Sequence, residues 1–386
     1  MKPGQTMSIY LDNAATSYPK PEAVYRAVMH AMREVGASPG RGGYRRSLEA
    51  GRIMFQAREA AAALFCVPDS SRIIFTHSAT EALNMALRGI LEPGDHVITT
   101  SMEHNSLARP LHLLQRQGVE LTIVRAGADG RVDPADVRLA LTPRTRMIAL
   151  GHVSNVSGTI QPIDALSAIA REAGALFLLD AAQSAGCVPI DVLRSGIDLL
   201  AVPGHKGLYG PQGTGLLYVA AHVALRPLLA GGTGTNSTSE DQPDTLPEGF
   251  EAGTHNLPGI AGLKAGIEFV MEQGVATIAA HERDLVCFAM ERLQALPGVR
   301  LYGPSDPAFR AGVLSFTIDD KDSSTLAFEL DQRFDIAVRS GLHCAPRAHR
   351  TLGTFPAGTV RMSPGWFTTR EEIAIFCDAV VQCLPT

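Results

Sequence analysis

Apolar residues recur at helical spacing in "PEAVYRAVMHAMREV" (21–35) and "SLEAGRIMFQAREAAAALF" (47–65), which predicts two helices near the start of the chain. Short β-branched runs then alternate with helical patterns. "RIIFT" (72–76), "DHVITT" (95–100), "ELTIVRA" (120–126), "RMIALGHVS" (146–154), "ALFLLDAA" (175–182), "IDLLAVP" (197–203) and "GTGLLYVA" (213–220) read as strands. Helical spacing covers 78–90, 107–118 and 164–174. Such alternation predicts an α/β fold with a mostly parallel sheet covered by helices. A stretch rich in Gly, Ser, Thr, Pro and acids at 231–254 interrupts the pattern and reads as a long loop of the kind that carries function. Beyond it come helices at 258–273 and 275–296, strands at 299–303 and 312–318, a helix at 323–333, strands near 335–339 and at 359–363, and a last helix from about 369. This tail reads as a smaller α+β domain. The expected division is a large domain at 18–262 and a small one made of 1–17 with 263–386.

The 386 residues are 45 % hydrophobic and 19 % charged, enough apolar material for a sizeable core. A net charge of −5 gives no reason to expect nucleic acid or an anionic membrane as partner. No apolar run is long enough to span a bilayer, and the start "MKPGQTMSIYLDNAATS" lacks the basic end and apolar stretch of a signal peptide. Six cysteines without a C-x-x-C pair read as free thiols in a reducing compartment, so a cytoplasmic location is expected. Cys66, Cys287 and Cys377 sit in apolar helical patterns, as core cysteines do. Cys344 does not. It lies in "RSGLHCAPRAHR" (339–350), between Gly341 and Pro346, with Arg339, His343, Arg347, His349 and Arg350 around it. Nearby cations favour the thiolate, which is the nucleophilic form.

Ligands of open α/β sheets bind beyond the carboxyl ends of the strands. Polar residues collect at those ends here. Asp180 closes the run "ALFLL" and Gln183 follows, while "IDLLAVP" leads to His205 and Lys206 in "GHKGLYGPQGTG". His104 follows 95–100 and Asn155 follows 146–154. Ala79 and Thr80 open the helix after "RIIFT", where free N–H groups and the helix dipole suit a phosphate. Singly, each has an ordinary reading: Asp180 a turn former, Lys206 a solvated loop lysine, His104 a loop histidine. Together they match the needs of pyridoxal phosphate: a lysine for the Schiff base, an acid at the pyridine nitrogen and a phosphate cradle.

The motifs "YLDNAATS" (10–17), "HSATEALN" (77–84), "EHNS" (103–106), "HVSNVSGT" (152–159), "DAAQS" (180–184), "GHKGLYGPQGTG" (204–215), "FEAGT" (250–254) and "RSGLHCAP" (339–346) occur in one order along nearly the whole chain. In that order the chain resembles the cysteine desulfurases and selenocysteine lyases of the class V aminotransferase fold. The resemblance implies a fold-type I PLP-dependent transferase, normally a homodimer. It implies Lys206 as the Schiff-base lysine, Asp180 at the pyridine nitrogen, Gln183 at the ring hydroxyl and His104 stacked on the ring. Ala79, Thr80 and His205 would bind the phosphate, and Thr254 would reach the phosphate of the other subunit. Asn155 would touch cofactor and substrate, and Arg361 in "VRMS" would bind the substrate carboxylate, which suits its fork of donors.

The implied activity converts L-cysteine to L-alanine and leaves a persulfide on Cys344 for an acceptor protein or thiol. The 17-residue spacing from Cys344 to Arg361 resembles the shorter, more structured cysteine loop of such enzymes. Pro203 stands where the family usually has a phosphate-binding serine, and "SPGRGGYRRS" carries Tyr44 near a position that is often histidine. The alternatives are a selenocysteine lyase and a class V aminotransferase with an incidental Cys344. A metal site at His343, Cys344 and His349 lacks an obvious fourth ligand.

Overall fold

The computed structural model describes residues 8–40, 42–234 and 238–384. The first seven residues of the N-terminal reading, Arg41 of the glycine-rich stretch, residues 235–237 of the long loop and the final two residues lie outside the described ones.

In chain order the strands are β1 (Ile9–Tyr10), β2 (Ile73–Thr76), β3 (His96–Thr100), β4 (Glu120–Val124), β5 (Thr145–Gly151), β6 (Leu176–Asp180), β7 (Leu199–Pro203) and β8 (Gly215–Val219). Then come β9 (Val299–Tyr302), β10 (Leu314–Ile318), β11 (Ile336–Ala337), β12 (Arg339–Gly341) and β13 (Thr359–Met362). The main sheet has seven strands in the order β2-β8-β7-β6-β5-β3-β4. Its neighbours pair in parallel except at β8, which is antiparallel to both β2 and β7. β2, β3, β7 and β8 are buried along their whole length, as strands covered on both faces must be. The chain is therefore an α/β protein of the mostly parallel, fold-type I architecture expected from the sequence.

A second sheet, β12-β13-β10-β9, is antiparallel. It packs with the helices Val275–Leu293, Ser323–Phe334 and Arg370–Gln382 around its own apolar core, which contains Phe316, Leu330, Val360 and Phe376. The two-residue strand β1 pairs in parallel with β11, bringing the N-terminus onto this core through Ile9 and Leu11. Two segments cross the expected division, the first being helix Leu257–Gln273, whose Leu263 and Ile267 stay in the core of the main sheet. The helix Pro346–Leu352, absent from the sequence reading, inserts Ala345, Ala348 and Leu352 into the core of the main sheet. Helix Pro134–Leu139 was likewise not expected.

Arg310 staples the two halves together. It is only 2 % exposed, and its guanidinium donates to the carbonyls of Tyr302, Pro304 and Val313 on one side and of Ser157 on the other. Burial draws its pKa down to about 10, so it stays protonated at neutral pH. A buried cation is tolerated only where its donors are met. Arg310→Met leaves several buried carbonyls without a donor, and we expect it to cost on the order of 2–4 kcal/mol. A clear fall in the urea unfolding midpoint is the expected readout; an unchanged midpoint would show that the staple contributes nothing.

Candidate active site

All the parallel strands of the main sheet end at one edge, and a cavity of ≈ 330 Å³ opens there, a size suited to a small ligand or cofactor. Ala79, Thr80, His104, Asn155, Asp180, Gln183, His205, Lys206, Cys344 and Arg361 all line it. Residues as far apart in sequence as Ala79 and Arg361 thus share one space. Thr254 does not. It lies in a separate small pocket with Glu251, His255 and Gly213.

Asp180 is the last residue of β6 and is 5 % exposed. Its Oδ1 accepts from the Ala182 N–H at 2.9 Å. Burial raises its pKa, opposed by the Ala182 hydrogen bond and the Lys206 charge. Lys206 leaves the next strand, β7. Burial pulls its amine down to about 8, with Asp180 acting against the shift and Arg361 and Arg339 adding to it. Its loop is tightly wound: Tyr209 N–H bonds to Lys206 O at 2.8 Å and Gly210 N–H to Gly204 O at 2.7 Å. The loop demands glycine at Gly207, where a Cβ would run into the Ala185 carbonyl. Helix Leu257–Gln273 needs Gly266 to lie against the Leu208 carbonyl. Residues 16–20 hold the loop from the other side, where the His205 carbonyl accepts from Ser17 N at 3.0 Å and Thr16 Oγ1 at 3.1 Å. Gln183 also ties this arm down, donating from Nε2 to Ala14 O at 2.9 Å.

His104 is the N-cap of helix Asn105–Arg116, and its Nδ1 accepts from Ser106 N–H at 3.0 Å. That bond assigns the proton of the neutral ring to Nε2. Burial first, then Lys206, Arg361 and Arg109, lower its pKa to about 4, so the ring is neutral under ordinary conditions. At the β2 end, Ser78 caps helix Ala79–Ile90 by accepting from Glu81 N–H, and Ala79 and Thr80, whose backbone N–H groups have no helix partner at this terminus, line the cavity. Pro203 ends β7 and lines the cavity without a backbone N–H or a hydroxyl.

Cys344 is exposed and sits in a four-residue turn, Leu342–Ala345, closed by Ala345 N–H to Leu342 O at 2.8 Å. Both central residues are left-handed, His343 at φ 46 and Cys344 at φ 56, as a type I′ turn requires. Neither is glycine, so the turn is strained by on the order of 1–2 kcal/mol per residue and must be held. Asn155 Nδ2 donates to His343 O at 2.7 Å, and Asn105 N–H to Cys344 O at 2.8 Å. The loop is compact and anchored to the main sheet, as its short spacing suggested.

Two of the cations read around Cys344 are not cations here. His343 is 7 % exposed and His349 fully buried; burial lowers their pKa values to about 2 and about 4. His343 Nε2 meets Thr359 Oγ1 at 3.1 Å and His349 Nδ1 meets Thr354 Oγ1 at 2.7 Å. Arg350 stacks on Phe355, 4.2 Å from the ring centroid. Among the described residues, no three His, Cys, Asp or Glu side chains group as metal ligands.

Arg361 is 2 % exposed on β13, with Nη1 on Asn155 O at 3.1 Å and Nη2 on Asp12 Oδ1 at 2.7 Å. Asp12 and Glu103, which had no role in the sequence reading, support the lining. Arg339, read only as a cation near Cys344, shares Asp12 with Arg361. Glu103, raised to about 8 by burial, accepts from Gly151 N–H at 2.8 Å. Asp12 and Glu103 stood inside the motifs "YLDNAATS" and "EHNS", but spacing gave no sign of their partners.

The residues fit pyridoxal phosphate. Buried Asp180 and half-buried Lys206 both line the cavity, and each favours the other's charged form. The buried Nδ1 of His205 and Nε of Arg361 have no partner among the described residues. Such buried polar atoms ask for a ligand.

Comparison with known proteins agrees. Residues 9–376 match the family model for class V aminotransferases. A probable cysteine desulfurase of Methanothermobacter thermautotrophicus is 38 % identical over 380 residues, covering 97 % of this chain and 94 % of that protein. The cysteine desulfurase of Pectobacterium atrosepticum is 35 % identical over 380 residues, covering 96 % and 91 %. The apo structure of a cysteine desulfurase from Thermococcus onnurineus NA1 superimposes with a TM-score of 0.91 at 34 % identity, covering 98 % of this chain and 94 % of that one. On its matched length, its fold and these relatives, the chain belongs to the class V aminotransferase family, among the cysteine desulfurases.

Proposed function

We propose that this protein is a pyridoxal phosphate-dependent cysteine desulfurase that converts L-cysteine to L-alanine and holds the released sulfur as a persulfide on Cys344. The observation that carries the reading is a thiol on a clamped turn lining the same cavity as the Asp180–Lys206 pair. Pyridoxal phosphate, when bound, supplies an electron sink for the charge left on a substrate's α-carbon. Lys206 would hold it, with Asp180 at the ring nitrogen, Gln183 at the ring hydroxyl, His104 against the ring, and Ala79, Thr80 and His205 at the phosphate. Because Pro203 offers no hydroxyl, the helix N-terminus at Ala79 carries more of the phosphate binding.

The chain's own residues then divide the work. A Lys206 amine near 8 is partly neutral at physiological pH, so Nζ can accept the α-proton and return a proton later. Neutral His104 carries its proton on Nε2 and can donate it. Arg361 would bind the substrate carboxylate alongside Asn155. The Cys344 thiolate attacks the substrate sulfur. An S–S bond forms, the C–S bond breaks, its electron pair passes to the β-carbon, and protonation there yields alanine. The anchored turn keeps Sγ near the cavity, so an acceptor protein or small thiol must collect the sulfur there.

Three finer points belong to this reading. Exposed Met32, Tyr44, Leu48 and Phe55, each 58–61 % accessible, support a homodimer, in which Thr254 would serve the partner's cofactor phosphate. All six cysteines are free thiols, which supports a reducing compartment such as the cytoplasm. The two apolar cores support a division into a large and a small domain, with Ile9 and Leu11 in the small core, while Leu263 and Ile267 of helix Leu257–Gln273 and the cysteine helix belong to the large core, so the large domain extends past 262.

Cys344→Ala is expected to take up the cofactor normally yet lose alanine release from L-cysteine by at least about 10²-fold. Retained alanine release would contradict the persulfide route; selective survival of selenocysteine cleavage would point to a lyase. The Lys206 amine must be neutral to capture the cofactor. The capture rate by apoprotein is therefore expected to rise with pH and level off near 8. A rate still climbing above pH 9.5, as for a lysine near its ordinary 10.4, would contradict the burial argument.

A further inference from the structure

Pro203 ends β7 at the cavity, where it can give a bound phosphate neither a hydroxyl nor a backbone N–H. The donors beside it are uncharged. Ala79 and Thr80 offer N–H groups at the start of helix Ala79–Ile90, and Ser78 Oγ serves that helix as its cap, accepting from Glu81 N–H. Thr16 Oγ1 donates to the His205 carbonyl. His205 adds its unpartnered Nδ1, but burial, then Lys206 and Lys20, lower its pKa to about 4, so the ring is neutral. A phosphate dianion held by neutral donors depends on how many of them there are.

The Lys206 loop supplies one more. Gly215 lies opposite Pro203 in the β7–β8 pair and opposite Thr76 in the β2–β8 pair, so the start of β8 runs between the end of β7 and the entry to helix Ala79–Ile90. A Cβ on Gly215 would lie 2.9 Å from the Ser78 backbone carbon. Gln212 stands three residues earlier, on a turn fixed from several sides. Thr214 Oγ1 donates to Pro211 O at 2.6 Å, Gly204 N–H to Thr214 O at 2.8 Å and Asn256 Nδ2 to Gly213 O at 3.1 Å. The Gln212 side chain is exposed, lines the cavity and has no hydrogen-bond partner among the described residues.

We propose that Gln212 is a cofactor-phosphate ligand, whose Nε2 supplies the hydrogen bond that Pro203 cannot. The inference rests on the reading of this cavity as a pyridoxal phosphate site and adds a residue to it. A glutamine that only shaped the turn would tolerate an isosteric carboxylate. A donor to a dianion would not.

The test is isothermal titration of the full-length apoprotein with pyridoxine 5′-phosphate, which has no aldehyde and so reads binding without a Schiff base on Lys206. Gln212→Ala is expected to weaken that binding at least about tenfold, and Gln212→Glu, which adds a negative charge, to weaken it further. Wild-type affinity in either variant would overturn the proposal. Unphosphorylated pyridoxine, titrated in parallel, is expected to bind wild type and variants alike; an equal loss for it would assign the effect to the shape of the turn and also overturn the proposal. Adding Pro203→Ser to Gln212→Ala is expected to bring pyridoxine 5′-phosphate back to within about threefold of the wild type. A double variant as weak as Gln212→Ala would show that the two positions do not serve one group, against the proposal. If the wild type itself binds no pyridoxine 5′-phosphate, the cofactor reading fails and Gln212's role with it. Wild-type binding that the variants leave untouched removes Gln212's role alone.

Discussion

Three hydrogen bonds hold the Leu342–Ala345 turn, and the position of the reacting thiol depends on them. His343 and Cys344 both occupy left-handed backbone that neither residue favours. The turn closes on itself through Ala345, while Asn155 and Asn105 seize the next two carbonyls from the main sheet's side. Residues from opposite ends of the chain thereby meet at one cavity mouth. Ala345, Ala348 and Leu352 extend that anchor by packing into the large core. Strain in the turn is offset by bonds whose donors come from the sheet edge where Lys206 and Asp180 sit.

Burial governs the electrostatics of the site more than charge counting does. It raises Asp180, lowers Lys206, and holds His104, His343 and His349 neutral. The permanent charges are then arginines, and Asp12 pairs with two of them. The same helices and strands that form the cores thus decide which groups can hold a proton and which can only hold a shape.

Much of this was legible in the sequence. Period-2 and period-3.6 patterns located the strands and long helices, because these elements bury one stripe or both faces. The motifs at strand ends named nearly every residue that lines the cavity. What escaped is nonlocal or short. Two residues of β1 carry no period, and their pairing with Ile336 and Ala337 spans the length of the chain. Helix Pro346–Leu352 has only seven residues and follows a cysteine loop, so its pattern resembled the loop itself. The histidines of "RSGLHCAPRAHR" read as cations because their burial depends on Thr354 and Thr359, which lie outside the motif. The Arg310 staple and the Asp12 bridge join groups over 150 and over 300 residues apart, which no local spacing records.

The central claim is that the clamped thiol receives the substrate's sulfur. Mass spectrometry of the peptide carrying Cys344, after the holoenzyme meets one equivalent of L-cysteine without any acceptor, addresses it most directly. The account predicts one added sulfur atom on Cys344, reversible by a small thiol and formed in step with one alanine per site. Alanine formed in that amount with Cys344 unmodified, or the sulfur found on another cysteine, would contradict it.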